Sequence, residues 1–170
     1  SDSSYMDCGS LCSILAAREV PPAGGDTEVV STRVAWEELP EGLKSRIANL
    51  SVVHSLSYAR DKMDMSILTD EARAAAPPVK HPLVQVNPKN GKKSMLIGAH
   101  AALIDGWSEE DSRKLLDELV ERASPPQNVY SHGWQDGDVI VWDNRCVLHR
   151  ATPFESDKYR RHLERTTITD

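Results

Sequence analysis

Residues 142–153 read WDNRCVLHRATP, and this stretch says more about the fold than any other part of the chain. Its apolar run ends on His149, which therefore stands at the end of a predicted strand. Arg160, Arg161 and Arg165 follow about a strand and a turn later. An imidazole can bind a metal cation, and guanidinium groups pair with carboxylates. The stretch predicts a β-rich fold in which one site holds a cation and an anion together.

The chain has 170 residues, which suits one domain with a hydrophobic core. Charged residues make up 27% and hydrophobic residues 39% of it, a composition typical of globular rather than disordered proteins. The net charge of -6 argues against general nucleic-acid binding, which needs a basic face. No apolar run approaches the roughly 20 residues of a membrane span. The three cysteines, an odd number at irregular spacing, favour a reducing cytoplasm over a disulfide framework.

Short apolar runs separated by turn signals dominate the chain, a pattern typical of a β barrel or sandwich that carries a few helices. We predict strands at 13–17, 27–30, 51–58, 81–86, 94–97, 129–134, 139–142, 146–149 and 165–169. We predict helices at 32–39, 41–50 and 109–123. Ser31 and Ser108 are the expected N-caps of the first and third helix. The sequence NPKNG at 87–91 indicates a hairpin, and residues 59–80, which are polar and rich in alanine and proline, are expected to form a mobile excursion.

A lone histidine at a strand end is usually structural, so a metal site at His149 needs further ligands. Non-haem Fe(II) oxygenases use two histidines and one carboxylate on one face of the metal and leave the other positions open. An earlier His-x-Asp on a strand would complete such a set. Asp2 stands in the sequence SDSSY at the start of the chain, and residues 13–27 continue as SILAAREVPPAGGDT.

These segments resemble the TauD/TfdA family, the Fe(II)/2-oxoglutarate enzymes of the taurine dioxygenase and 2,4-dichlorophenoxyacetate dioxygenase type. Members commonly read Trp-His-Ser/Thr-Asp, then a Leu-Ala-Ala strand, then Gly-Gly-Asp-Thr, and the likeness extends from Ser1 to Asp170. It implies a mostly β fold with flanking helices around a double-stranded β-helix (jelly-roll, cupin-like) core. The family's first histidine ligand would stand immediately before Ser1. We therefore expect residues 1–170 to be a single Fe(II)/2-oxoglutarate dioxygenase domain that lacks its N-terminal portion.

The resemblance also implies roles for individual residues. Asp2 and His149 correspond to the carboxylate ligand and the distal histidine ligand of iron. Thr27 and Arg161 correspond to the pair that binds the far carboxylate of 2-oxoglutarate, for which the planar fork of an arginine is suited. Arg160 stays open as an alternative to Arg161, because the loop after His149 is slightly longer than in taurine dioxygenase.

The implied activity uses Fe(2+), 2-oxoglutarate and O2 to hydroxylate a small anionic organic substrate, with release of succinate and CO2. Arg165 is implied to bind the substrate anion or to support the 2-oxoglutarate site. Two alternatives stay open: the same iron site could perform desaturation or cyclisation in a biosynthetic pathway, or the chain could be a degenerate β-helix that binds a ligand without catalysis. A homo-oligomer is also open. We expect structural roles for the remaining histidines, with His100 approaching the active site: His54, His81, His100, His132 and His162.

Overall fold

The computed structural model describes residues 2–62 and 69–169. Its strands are β1 (Cys12–Glu19), β2 (Thr27–Ser31), β3 (Ser51–His54), β4 (Val79–Pro82), β5 (Val84–Val86), β6 (Lys93–Met95), β7 (Ala101–Ile104), β8 (Tyr130–His132), β9 (Val139–Asp143), β10 (Val147–Ala151) and β11 (His162–Ile168). Its helices are α1 (Thr32–Glu38), α2 (Glu41–Ile47), α3 (Leu56–Lys62), α4 (Asp70–Ala75) and α5 (Glu109–Ala123), with a short 3₁₀ turn at Pro126–Asn128.

Two three-stranded antiparallel sheets form the β core. One has the order β11–β1–β9 and the other the order β10–β2–β8, so the chain alternates between the sheets as it runs from β8 to β11. The rings of Trp142 on β9 and His149 on β10 have centroids 4.7 Å apart, which places the inner faces of the two sheets against each other. This arrangement is the double-stranded β-helix with flanking helices that the family resemblance implied.

The outer face of the β10–β2–β8 sheet packs on the helices. Val30 and Leu148 are paired across β2 and β10, and both join the hydrophobic core that also contains buried side chains of α1 and α5. Side chains alternate between the two faces of a strand. Thr27 and His149 therefore lie on the opposite, inner face, and the packing of one face on the helices determines which residues face the interior.

Helix α5 is the main support of this core. Ser108 accepts a hydrogen bond from the backbone of Asp111 over 3.1 Å, as an N-cap should, and acidic residues occupy the first turn. Leu115, Leu116 and Leu119 are almost completely buried. The predicted boundaries and N-cap of this helix are confirmed.

The predicted strand at 51–58 is wrong in its second half. Strand β3 ends at His54, and Ser55 then caps α3 by accepting a hydrogen bond from the backbone N–H of Tyr58 over 3.2 Å. The expected excursion at 59–80 is also wrong in part, because it contains the end of α3, helix α4 and the start of β4, which pairs with β3. Residues 63–68 of that excursion lie outside the described residues.

Two further differences concern short elements. The predicted helix at 41–50 ends at Ile47. Strand β7 was not predicted, because its four residues follow a turn without a clear period-2 pattern of their own. The hairpin at 87–91 is confirmed: Gly91 has a φ of 67° and its N–H donates to the Asn87 carbonyl over 2.8 Å. Within residues 2–62 and 69–169, we find no helix with the length and hydrophobicity needed to cross a membrane.

Candidate metal and carboxylate site

Asp2 and His149 meet at the inner face of the core. The Nε2 atom of His149 lies 3.5 Å from Oδ1 of Asp2, and the side chains are 23% and 12% exposed. This distance is longer than a direct N–H···O hydrogen bond but short enough for both atoms to contact one ion. No group of three or more His, Cys, Asp or Glu side chains with metal-binding geometry occurs in the described part of the chain. Asp2 and His149 could therefore supply two ligands of a metal site, but the described residues do not supply a complete set.

The surroundings of the His149 ring suit metal binding. Burial lowers the pKa of His149 to about 4, so the imidazole is neutral at pH 7 and has a lone pair to donate. Its Nδ1 atom is buried and has no hydrogen-bond partner among the described residues, whereas Nε2 faces Asp2. A neutral imidazole nitrogen beside a carboxylate oxygen is a donor set that suits Fe(II).

The two oxygens of Asp2 have different neighbours. Oδ2 accepts a hydrogen bond from the Ser13 hydroxyl over 2.6 Å. Oδ1 faces His149 and accepts a hydrogen bond from Nη1 of Arg165 over 3.2 Å. Arg165 lies on β11 with a side chain that is 55% exposed, so it places a positive charge at the solvent side of the metal-ligand pair.

Thr27 and Arg161 form a second group on the same inner face. Thr27 is paired with Ala151 in the register of β2 and β10, two residues from His149, so the side chains of Thr27 and His149 point the same way. Arg161 donates from Nη2 to the Thr27 hydroxyl over 3.3 Å and from Nε to the Gly25 carbonyl over 2.7 Å. Thr27 is only 3% exposed. The result is a guanidinium and a buried hydroxyl side by side, which is an arrangement suited to a carboxylate.

The Gly-Gly-Asp-Thr segment makes room for this pair. Gly25 has a φ of 70°, and a Cβ there would lie 3.0 Å from Cδ of Arg161. Gly24 has a φ of 71°, and a Cβ there would lie 2.6 Å from the Pro153 carbonyl oxygen. Both positions therefore require glycine for conformational and steric reasons. Burial lowers the pKa of Arg161, while Asp26 opposes that shift, and the guanidinium remains charged at neutral pH.

The Arg160 side chain points towards Glu19 and not towards Thr27. Its side chain is 70% exposed, and Nη1 lies 3.6 Å from a carboxylate oxygen of Glu19. Of the two adjacent arginines, Arg161 is the one that contacts Thr27. The geometry thus favours Arg161 over Arg160 as the partner of a bound carboxylate.

His100 lies near Asp2 and His149, as the family resemblance implied. It lines a cavity of about 300 Å³ together with Asp2 and His149. Val30 and Leu148 line the same cavity from the opposite face of their strands, so the cavity extends around the edge of β10, which is the outer strand of its sheet within the described residues. The remaining lining residues are Glu28, Ile97, Gly98, Ala99, Val120, Ser124, Val129 and Arg150.

Sequence reasoning missed several residues that hold the site. Ser13 contacts Asp2, and Trp134 donates from Nε1 to the Thr27 hydroxyl over 3.0 Å. The Ser4 hydroxyl lies 3.1 Å from Nδ1 of the fully buried His54 and 3.3 Å from Nδ1 of His100. A buried hydroxyl or indole N–H carries no periodic signal in the sequence, so these contacts could not be read from it. Only Ser4, two residues after Asp2, stands near a residue that the sequence had assigned to the site.

Comparisons with known proteins agree with this geometry. Residues 1–167 match the model of the family described as "Taurine catabolism dioxygenase TauD, TfdA family". The alpha-ketoglutarate-dependent 2,4-dichlorophenoxyacetate dioxygenase of Burkholderia sp. (strain RASC) is 40% identical over 167 residues, which are 98% of this chain and 56% of that protein. The (S)-phenoxypropionate/alpha-ketoglutarate-dioxygenase of Sphingobium herbicidovorans is 36% identical over 165 residues, 94% of this chain and 58% of that protein.

The structural comparison extends to a solved relative. The crystal structure of AAD-2 in complex with Mn(II) and N-oxalylglycine has a TM-score of 0.93 and 36% sequence identity, and it covers 99% of this chain and 67% of that chain. The chain spans 56% and 58% of the length of the two curated relatives. A family match over almost the whole chain, together with the fold and the paired Asp2 and His149, shows that this chain belongs to the TauD/TfdA family of dioxygenases.

Proposed function

We propose that the full-length protein is an Fe(II)- and 2-oxoglutarate-dependent dioxygenase that hydroxylates a small anionic organic substrate and releases succinate and CO2. The observation that carries this proposal is the common orientation of two groups. His149, which pairs with Asp2, and Thr27, which pairs with Arg161, lie on one face of the same sheet, two register positions apart. A molecule that binds the metal at one end and a cation at the other fits this layout, and 2-oxoglutarate is such a molecule.

Asp2 Oδ1 and His149 Nε2 are the atoms that would hold the iron. Bound Fe(II) would supply the redox chemistry and the activation of O2. The contribution of the chain itself is to place neutral imidazole and carboxylate ligands on one side of the ion, so that positions on the other side stay open for co-substrate and oxygen.

The far carboxylate of 2-oxoglutarate would be bound by Arg161 and Thr27. A hydroxyl oxygen has two acceptor positions and one proton to donate. The Thr27 oxygen accepts from Nε1 of Trp134 and from Nη2 of Arg161, so its own proton is directed to a further acceptor. The carboxylate would thus receive one hydrogen bond from a hydroxyl and at least one charge-assisted bond from the guanidinium. N-oxalylglycine, which AAD-2 binds with Mn(II), has carboxylates at both ends as 2-oxoglutarate does.

We infer that the substrate is an aryloxyalkanoate or a similar organic anion. The two curated relatives are named for 2,4-dichlorophenoxyacetate and (S)-phenoxypropionate, which are both carboxylates attached to an aryl ether. Arg165 supplies a half-exposed positive charge beside Asp2, where a substrate anion would approach the metal. His100 lines the neighbouring cavity and offers a second polar contact.

The setting of the enzyme is also part of the proposal. Cys8, Cys12 and Cys146 are free thiols, which is compatible with a reducing cytoplasm. We propose that residues 1–170 are the larger part of one dioxygenase domain, and a homo-oligomer would be compatible with this fold.

The test is the formation of succinate by the full-length protein supplied with Fe(II), 2-oxoglutarate and air. Succinate should appear only with Fe(II), stop when the metal is chelated, and increase when 2,4-dichlorophenoxyacetate or (S)-phenoxypropionate is added. A neutral aryl ether of the same size is the matched control, and it should give little stimulation. The absence of iron-dependent succinate in every mixture would refute the dioxygenase assignment. Equal stimulation of succinate formation by the neutral ether would refute the anionic substrate class but not the dioxygenase assignment.

A further inference from the structure

Asp2 lies in a segment without regular secondary structure. Residues 2–8 form turns and bends, and Ser3 has a φ of 59°, a left-handed conformation that is unusual for a residue with a side chain. No strand or helix of the described residues carries the carboxylate, so strand pairing does not determine its direction. Something else must hold Asp2, because a ligand pair has to be placed within fractions of an ångström.

A closed ring of hydrogen bonds holds both ends of Asp2. The backbone N–H of Asp2 donates to Oδ1 of Asn144 over 3.0 Å. The Nδ2 atom of Asn144 donates to the Ser13 hydroxyl over 2.8 Å, and that hydroxyl donates to Oδ2 of Asp2 over 2.6 Å. Ser13 and Asn144 are 0% and 2% exposed. Both residues that complete the ring are therefore buried.

The direction of each hydrogen bond in the ring follows from which groups can donate and which can accept. The Asp2 backbone N–H can only donate, so it requires the oxygen of the Asn144 amide. Nε1 of Trp142 donates to that same oxygen over 3.0 Å, which fixes the orientation of the amide a second time. The amide nitrogen then has to face Ser13. Since the Ser13 oxygen accepts from the amide, its proton goes to Asp2.

This directionality separates the roles of the two carboxylate oxygens. Oδ2 accepts the Ser13 proton and is turned into the buried ring, whereas Oδ1 is directed at His149. A carboxylate that is held in this way offers one oxygen to a metal instead of two. With the second oxygen held in the ring, a bound metal would keep a coordination position for co-substrate or oxygen.

We propose that Ser13 and Asn144 are positioning residues that hold Asp2 as a one-oxygen metal ligand through this ring. The proposal rests on the proposed function, because it requires that Asp2 binds a metal. The ring acts through Asp2 and does not touch the substrate. Loss of the partners of a metal ligand typically lowers metal affinity or activity about 10- to 100-fold.

The test compares two buried serines in the full-length protein by measuring Mn(II) binding, for example by electron paramagnetic resonance of free Mn(II). Ser13→Ala removes the donor to Oδ2 of Asp2. Ser112→Ala is the matched control: the Ser112 hydroxyl is also 0% exposed, donates to the Ser108 carbonyl over 2.7 Å and accepts from the Ile104 N–H over 3.0 Å, but it lies in α5. Both variants should lower the thermal unfolding midpoint. Only Ser13→Ala should raise the Kd for Mn(II), by about 10- to 100-fold.

A conservative variant and a second readout complete the design. Ser13→Thr keeps the hydroxyl and should bind Mn(II) with a Kd close to that of the unsubstituted protein. Ser13→Ala should also consume more 2-oxoglutarate per molecule of hydroxylated product. A poorly held Asp2 would uncouple the decarboxylation of 2-oxoglutarate from the hydroxylation of the substrate. An unchanged Mn(II) Kd in Ser13→Ala, with a lowered unfolding midpoint as in Ser112→Ala, would overturn the inference and leave the proposed function intact. If the unsubstituted protein does not bind Mn(II), the proposed function fails first, and this inference fails with it.

Discussion

Replacement of Arg161 by lysine tests the proposed 2-oxoglutarate site most directly. Arg161 is half-buried, contacts both the Gly25 carbonyl and the Thr27 hydroxyl, and presents a planar fork of N–H donors. Lysine keeps the charge but is a point donor on a flexible stem, so at least one charge-assisted hydrogen bond to the carboxylate is lost. Such a bond contributes about 1.5–3 kcal/mol. The KM for 2-oxoglutarate should therefore rise roughly 10- to 150-fold.

The adjacent arginine offers a matched control for this variant. Arg160 is 70% exposed and only 3.6 Å from Glu19, a surface pair whose contribution to stability is about 0–1 kcal/mol. Arg160→Lys makes the same chemical change one residue away and should leave the KM for 2-oxoglutarate within about 2-fold of the unsubstituted value. The assay is initial-rate succinate formation at fixed Fe(II) and substrate over a range of 2-oxoglutarate concentrations, with circular dichroism to verify that both variants fold.

The opposite pattern would refute the reasoning. A large increase in the KM of Arg160→Lys with little change in Arg161→Lys would mean that Arg160 holds the carboxylate. Equal and small changes in both variants would mean that neither guanidinium binds 2-oxoglutarate. If Arg161→Lys lowered kcat at saturating 2-oxoglutarate and left the KM unchanged, Arg161 would act in a step after 2-oxoglutarate binding.

Two further predictions concern stability. His54 is fully buried, and burial, followed by the charges of His81 and His100, lowers its pKa from 6.5 to about 3. The imidazole therefore takes up a proton more readily in the unfolded chain than in the folded one. Stability that is present above about pH 6.5 should be lost as the pH falls, by about 2 kcal/mol at pH 5. Urea unfolding at pH 7 and pH 5 should show this loss, and a His54→Gln variant should show a smaller one; an equal loss in both would exclude His54 as its source. Leu119 is 0% exposed in the core under α5, so Leu119→Ala should lower the free energy of unfolding by about 2–5 kcal/mol, measured by the same urea titration, whereas a change below about 1 kcal/mol would contradict the described packing.

Features that depend on neighbours in sequence could be predicted well. Helix α5 was predicted with its cap and boundaries, because Ser108, the acidic first turn and the leucine stripe are local signals. The hairpin of β5 and β6 was predicted from 87–91 for the same reason. Ser55 was misjudged because its side chain suits a strand as well as a helix cap, and only the pairing of β3 with β4 and β7 ends the strand before it.

The sequence by itself predicted that Asp2, Thr27, His149 and the arginines belong to one site, because their residue types and order resemble those of the TauD/TfdA family. Only the tertiary structure decided which arginine meets Thr27. Both arginines lie in the irregular stretch just before β11, and the fold brings Arg161 onto Thr27 and the Gly25 carbonyl, whereas Arg160 lies near Glu19. The ring around Asp2 was likewise decided by folding: Asn144 and Ser13 are 131 residues apart in sequence, and their hydrogen bond forms only because β1 pairs with β9 in one sheet.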